Sequence, residues 1–332
     1  KIMTKSFVFI LSMAALLLAC NPSQDKTQTT DQDSKPAIKL KVPGFNRDSA
    51  YNFIEQQVAF CPRRPNTEAH RQCKDWLIQK FEAYGMEVIV QDFTADAYFG
   101  EQMQGYNIIA RYNPGEEKRM MISAHWDTRF KAEKDPDPKM QEQPIPGADD
   151  GGSGVGVILE IARLLQDADI PIGVDFVLFD LEDQGQNGDN SGETWCLGAQ
   201  HWTKNPHHRL YKFGVHLDMV GSKGAKFKKE GFSMKYASGI TNKVWKWAQR
   251  LGYDNYFVDR RTGAVVDDHY FLNTSGILPV TNIIYTSDQR GSTFGPHWHT
   301  HGDDMENIDR NTLKAVGQVV TNVVYKEAEG SF

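Results

Sequence analysis

Residues 174–183 read Val-Asp-Phe-Val-Leu-Phe-Asp-Leu-Glu-Asp, a near-continuous apolar run through Leu181 that ends in a pair of acids. A run of this length without strict alternation reads as a strand covered on both faces. The acids at its end fall where open α/β sheets collect their ligands, beyond the carboxyl ends of the strands.

The flanking sequence repeats the pattern. Gly151 to Gln166 has a helical period, with Val155, Leu159 and Leu164 on its inner side. Arg119 to Ala124 and Phe213 to Val220 are two more buried strands, Val280 to Tyr285 is another, and Glu87 to Phe93 and Tyr106 to Tyr112 are strand-like. Helices are expected over Asp48–Phe60, with Asp48 and Ser49 as caps, and from Pro65-Asn66-Thr67 to Gly85. Two more are expected over Thr241–Leu251 and Asn311–Ala328. The alternation predicts an α/β fold: an open, mostly parallel, twisted mixed sheet with helices on both faces. There is no internal repeat and no second change of composition, so residues 45–332 are read as one domain.

Residues 1–44 have a different character. Two lysines lie within Lys1–Lys5, and Phe7 to Leu18 is almost wholly apolar but short for a bilayer span. This reads as a signal peptide. Leu17-Leu18-Ala19-Cys20 resembles the lipobox of bacterial lipoproteins, which implies lipidation of Cys20 and an exported, membrane-anchored protein facing the periplasm or cell surface. Residues 21–44 are read as a flexible tether; Asn21 to Lys35 in particular lacks large apolar residues. The net charge of -6 and the lack of a basic cluster interleaved with aromatics exclude a nucleic-acid partner. The lipid is the only membrane contact expected, and the chain is expected to be a monomer. Cys61, Cys73 and Cys196 remain; a Cys61–Cys73 bridge across a Pro-rich turn is left open.

The chemistry gathers at strand ends. Arg119–Ala124 leads into His125-Trp126-Asp127, Val174–Leu181 into Glu182-Asp183, and Phe213 onward reaches Asp218. The last strand leads to His297-Trp298-His299-Thr300-His301, and Gly147-Ala148-Asp149-Asp150-Gly151-Gly152 precedes a helix. Each acidic pair alone is an ordinary helix cap. Five such sites at one sheet edge, with oxygen and imidazole donors and no Cys-x-x-Cys, point to zinc or another divalent ion. Gly152-Ser153-Gly154 lies in a helix start rather than an elbow turn, so no serine nucleophile is read there.

His125-x-Asp127, Gly-Ala-Asp-Asp before a helix containing Leu159-Glu160, Phe179 to Asp183, Asp218, Asp267-Asp268-His269 and His299 occur in this order in the zinc aminopeptidase superfamily. From about Asp48 onward the chain resembles it. Trp298 and the Asp267-Asp268-His269 triplet look like its glutaminyl cyclase branch, in the lipoprotein form of Bacteroidetes. That resemblance implies one Zn2+ per chain, held by Asp150, Asp183 and His299, with Asp183 where animal cyclases carry Glu. It implies Glu182 as acid-base, and Asp218 with Asp267 as a carboxyl pair sharing a proton. Trp298 would wall the substrate pocket and Trp195 would gate it. Family members place a cis peptide after the ligand matched by Asp150. The implied substrates are peptides or proteins with N-terminal glutamine, converted to pyroglutamate with release of ammonia. The rival within the superfamily is a two-metal aminopeptidase, for which His125, Asp150, Asp183, Asp218 and His299 would supply the ligands.

Overall fold

The structure is a computed structural model that describes residues 39–189, 191–289 and 292–332. The stretch read as a signal peptide, with Cys20, and the part of the expected tether up to residue 38 lie outside the described residues. Residues 39–44 run beside the C-terminal helix. The Leu40 amide donates to Glu329 (2.6 Å), Gln318 Nε2 donates to the Pro43 carbonyl (3.0 Å), and Leu40 and Val42 pack on the core.

Two helices come first, α1 (Arg47–Val58) and α2 (Glu68–Ala83). Asn46 caps α1, accepting from the amides of Asp48 and Ser49, so the helix starts just before the residues expected to cap it. Thr67 caps α2 through the His70 amide (3.2 Å). The hairpin β1 (Glu87–Asp96) and β2 (Gln102–Tyr112) then leads to β3 (Arg119–His125), α3 (Gly152–Leu165) and β4 (Gly173–Phe179). Next are α4 (Leu197–Lys204), β5 (Tyr211–Asp218), β6 (Phe227–Lys229), α5 (Gly231–Tyr236) and α6 (Ser238–Arg250). The chain closes with β7 (Phe257–Arg261), α7 (Asp268–Thr274), β8 (Val280–Ile284) and α8 (Arg310–Ala328).

Six strands form one sheet in the order β1-β2-β4-β3-β5-β8. β4, β3, β5 and β8 run parallel, and the β1–β2 hairpin joins antiparallel through β2 and β4. The mixed, mostly parallel sheet expected from the sequence is what the chain forms. Side chains alternate across it with period two. Met120, Ile122, Ala124, Val174, Phe176 and Leu178 join a core that also holds residues of α1, α3 and α8. Met121, Val177 and Phe179 point the other way, against Ala199 and Trp202 of α4 and Leu272 of α7. Both faces are therefore buried, which is why the strands read as unbroken apolar runs. The short β6–β7 pair and α4, α5 and α7 had no legible period. Cys61, Cys73 and Cys196 are free thiols, so the bridge left open by the sequence is not formed.

Candidate active site

The parallel strands all end at one edge, and the chain leaves that edge through unusual backbone. Leu181 (φ 55°) follows β4, Met219 (φ 48°) follows β5, and His299 (φ 56°) lies in the loop after β8. Left-handed non-glycine residues are uncommon and gather where surrounding structure holds a functional conformation. Gly151 (φ 78°) turns the chain from Asp150 into α3. The cis peptide implied after Asp150 is absent: the one cis bond among the described residues is Cys61–Pro62.

Asp150, Asp183 and His299 each offer a ligand atom, all within 4.8 Å of one another. His299 Nε2 lies 3.0 Å from Asp183 Oδ1 and 3.8 Å from Asp150 Oδ2. Asp150 Oδ2 and Asp183 Oδ2 are buried with no hydrogen-bond partner. Buried carboxylate oxygens without partners are costly unless a cation meets them. Two carboxylates and an imidazole, with no thiolate, are a donor set that zinc accepts while keeping a position open for substrate. The residues fit zinc. A second group, His125, Asp150 and Asp218, shares Asp150 with the first. There His125 Nε2 is 3.0 Å from Asp150 Oδ1 and 3.4 Å from Asp218 Oδ1.

Further carboxylates hold this constellation from outside. Asp127 accepts from the amides of Glu182 (3.1 Å) and Asp183 (3.2 Å) and from Gln184 Nε2 (2.9 Å). Asp303 does the same for the amides of Asp149 (2.7 Å) and Asp150 (3.1 Å). Asp149 is itself engaged by the Gly221 amide (2.7 Å) and His297 Nε2 (3.0 Å), and His301 Nδ1 pairs with Asp135 (3.0 Å).

Asp150, Asp183 and His299 share a cleft of about 260 Å³ with all five remaining candidates: Glu182, Asp218, Asp267, Trp298 and Trp195. Trp298 stacks on His299 with ring centroids 3.8 Å apart. Trp195 is 6.2 Å from His299, with Arg129 over its ring at 4.7 Å and its Nε1 donating to the Gln186 carbonyl (3.2 Å). These contacts place Trp195 in the cleft wall. Burial lifts the Glu182 carboxyl well above the usual carboxylate range and Asp218 to about 8. Against its own burial, Asp267 is held well below that range by His216, whose Nε2 lies 3.1 Å from Oδ1. The two carboxyls of the Asp218–Asp267 pair are thus pushed in opposite directions.

Two contacts were not read from the sequence. Glu133 Oε1 lies 2.9 Å from His299 Nδ1, and Cys196 Sγ donates to Glu182 Oε1 at 3.1 Å. Glu133 carried one local signal, its i,i+4 spacing from Arg129, to which it is paired. Cys196 carried none.

A mixed sheet with a nitrogen and oxygen donor group at its carboxyl edge is the frame of a metal-dependent exopeptidase. The chain belongs to peptidase family M28, whose model matches residues 107–324. It is similar to a solved Zn-dependent exopeptidase of Parabacteroides distasonis (44% identity, TM-score 0.84, 86% of this chain and 99% of that one). It is equally similar to the glutaminyl cyclase of Tannerella forsythia (49% identity, TM-score 0.82, 85% of this chain and 99% of that one). Among curated proteins, aminopeptidase YwaD of Bacillus subtilis is 29% identical over 188 residues, or 54% of this chain. The aligned region spans 38% of that relative's length.

Proposed function

We propose that this chain is a zinc-dependent glutaminyl-peptide cyclotransferase, which closes the N-terminal glutamine of a peptide or protein to pyroglutamate and releases ammonia. The observation that carries this reading is the presence of Glu182, Asp218 and Asp267 in one cleft with Asp150, Asp183 and His299. Zinc bound by those three residues, one ion per chain, supplies a Lewis acid for the amide oxygen. Glu182 takes a proton from the α-amine as its nitrogen bonds to the γ-carboxamide carbon. It then returns that proton to the departing nitrogen as the C–N bond breaks and ammonia leaves. Its raised carboxyl favours the half of this transfer in which it carries the proton to the departing nitrogen. The nucleophile belongs to the substrate, so holding the side chain against Trp298 and Trp195 lowers the barrier by proximity. Asp267 accepts from the amide N–H, and Asp218 offers a donor to that nitrogen once it has become an amine in the tetrahedral intermediate.

The second reading, a two-metal aminopeptidase, is favoured by the His125–Asp150–Asp218 group. Incubation with a Gln-initiated peptide separates the two. Loss of ammonia by mass, abolished by a chelator, with one zinc per chain, supports the cyclase. Two zinc ions and release of leucine from leucyl-anilide would establish the hydrolase instead. We also propose export of the protein as a monomer anchored by lipid on Cys20. Metabolic labelling with a fatty acid, lost in Cys20→Ala, tests the anchor.

A further inference from the structure

Asp267 is gripped from behind by groups that never reach the cleft. Its side chain caps α7 through the Asp268 amide, and His216 Nε2 lies 3.1 Å from Oδ1. The other oxygen, Oδ2, accepts from Asn282 Nδ2 at 2.5 Å. Asn282 Nδ2 is also 3.1 Å from His269 Nδ1, and His269 Nε2 is 2.9 Å from Glu230 Oε2. His269 Nδ1 itself stands 3.6 Å from Asp267 Oδ2, too far for a hydrogen bond, so Asn282 is the link. Glu230, His269 and Asn282 are fully buried, and none lines the cleft.

With His269 neutral, the donors and acceptors match in one direction. Glu230 is acceptor-only when ionised, and its oxygens also take the amides of Phe232 (2.7 Å), Ser233 (2.7 Å) and Val265 (2.9 Å). In its neutral form His269 then donates from Nε2 and leaves Nδ1 as the acceptor facing Asn282 Nδ2, while the Glu230 and Asp267 carboxylates favour a second proton on the ring. The two amide hydrogens of Asn282 are then both used, one on His269 and one on Asp267. With that amide locked, the Asp267 carboxylate has a fixed plane.

We propose that Glu230, His269 and Asn282 form a buried positioning relay that sets the orientation of Asp267 for catalysis. This rests on the cyclase reading given above, in which Asp267 meets the substrate amide. The relay joins three parts of the chain: Glu230 before α5, His269 on α7 and Asn282 on β8. Val265 belongs to the same system, because its amide is held by Glu230 while the residue lines the cleft. A carboxylate that only needed burial would not need a directed chain of this length.

The test contrasts two substitutions at one position. In His269→Gln, the amide nitrogen can donate to Glu230 and the amide oxygen can accept from Asn282. In His269→Leu, both links are lost at similar volume. With zinc-loaded protein and a Gln-initiated peptide, His269→Leu should lose about 100-fold in kcat with KM nearly unchanged, as expected for a misplaced catalytic group. His269→Gln should recover most of that loss. Asn282→Asp reads the same link from the other end if His269→Leu does not fold: its kcat should fall similarly, with the zinc content of the wild type. A folded, zinc-loaded His269→Leu or Asn282→Asp with wild-type kcat would overturn the relay, as would equal losses in His269→Gln and His269→Leu. Absence of ammonia release from the wild-type protein would instead overturn the cyclase reading itself.

Discussion

Glu133 Oε1 lies 2.9 Å from His299 Nδ1, while the other nitrogen of that ring is 3.0 Å from Asp183 Oδ1. A carboxylate on the far nitrogen fixes which tautomer faces the metal and makes the ring a better ligand. Glu133→Ala should weaken zinc affinity by about 10–100-fold. Competition against a chromophoric chelator measures it, and an unchanged affinity would show that Glu133 serves only its contacts with Arg129 and Asn187.

Glu182→Gln keeps the shape of the side chain and removes its proton-transfer capacity. The variant should fold, bind zinc as the wild type does, and lose about 10²–10⁴-fold in kcat. An active Glu182→Gln protein would mean that another group moves the proton.

Trp195 lies flat against the backbone at Gly185, and a Cβ added there would overlap the indole ring. Gly185→Ala should displace Trp195 from the cleft wall. We expect KM for Gln-initiated peptides to rise by about tenfold, the loss of roughly 1.4 kcal/mol of binding, with kcat little changed. A steady-state comparison decides it, and unchanged KM would remove Trp195 from the binding surface.

Asp175, at the start of β4, pairs with Arg119 (3.0 Å from Nε) and also meets His207 Nε2 (3.0 Å) and the Tyr211 hydroxyl (2.6 Å). Burial alone would raise its carboxyl, but His207, Arg119 and Tyr211 bring it below the ordinary range. A depressed carboxylate stabilises the fold fully above its unfolded value, about 4, and loses that contribution as pH falls toward the folded value. Asp175→Asn leaves Arg119 buried without its counter-charge and should cost about 3–5 kcal/mol at neutral pH. Urea unfolding across pH checks both claims: the gap between wild type and variant should narrow below about pH 4. Parallel curves would contradict it.

The buried strands were legible because apolar cover on both faces leaves an unbroken run, as in Val174–Phe179. The site was legible for a topological reason, since parallel strands deliver their last residues to one edge. The ends were read less well. β4 stops at Phe179 rather than Leu181, because Leu181 already turns into a left-handed conformation. α7 escaped because it starts at Asp268, directly after a residue read for its chemistry. The supporting contacts left no local pattern: Glu133 and His299 are 166 residues apart, and Asp267 and Asn282 are 15 apart on different elements. The pinning of Trp195 needed the fold of the Gly185 turn, which composition does not report.

The grip of Asp127 on two consecutive amides has a consequence for how this enzyme can fail. Glu182, the proposed proton carrier, and Asp183, the proposed metal ligand, hang from one carboxylate and so behave as a single mechanical part. Damage to Asp127 is not divisible into a lesion of the metal and a lesion of the base: both lose their seat together.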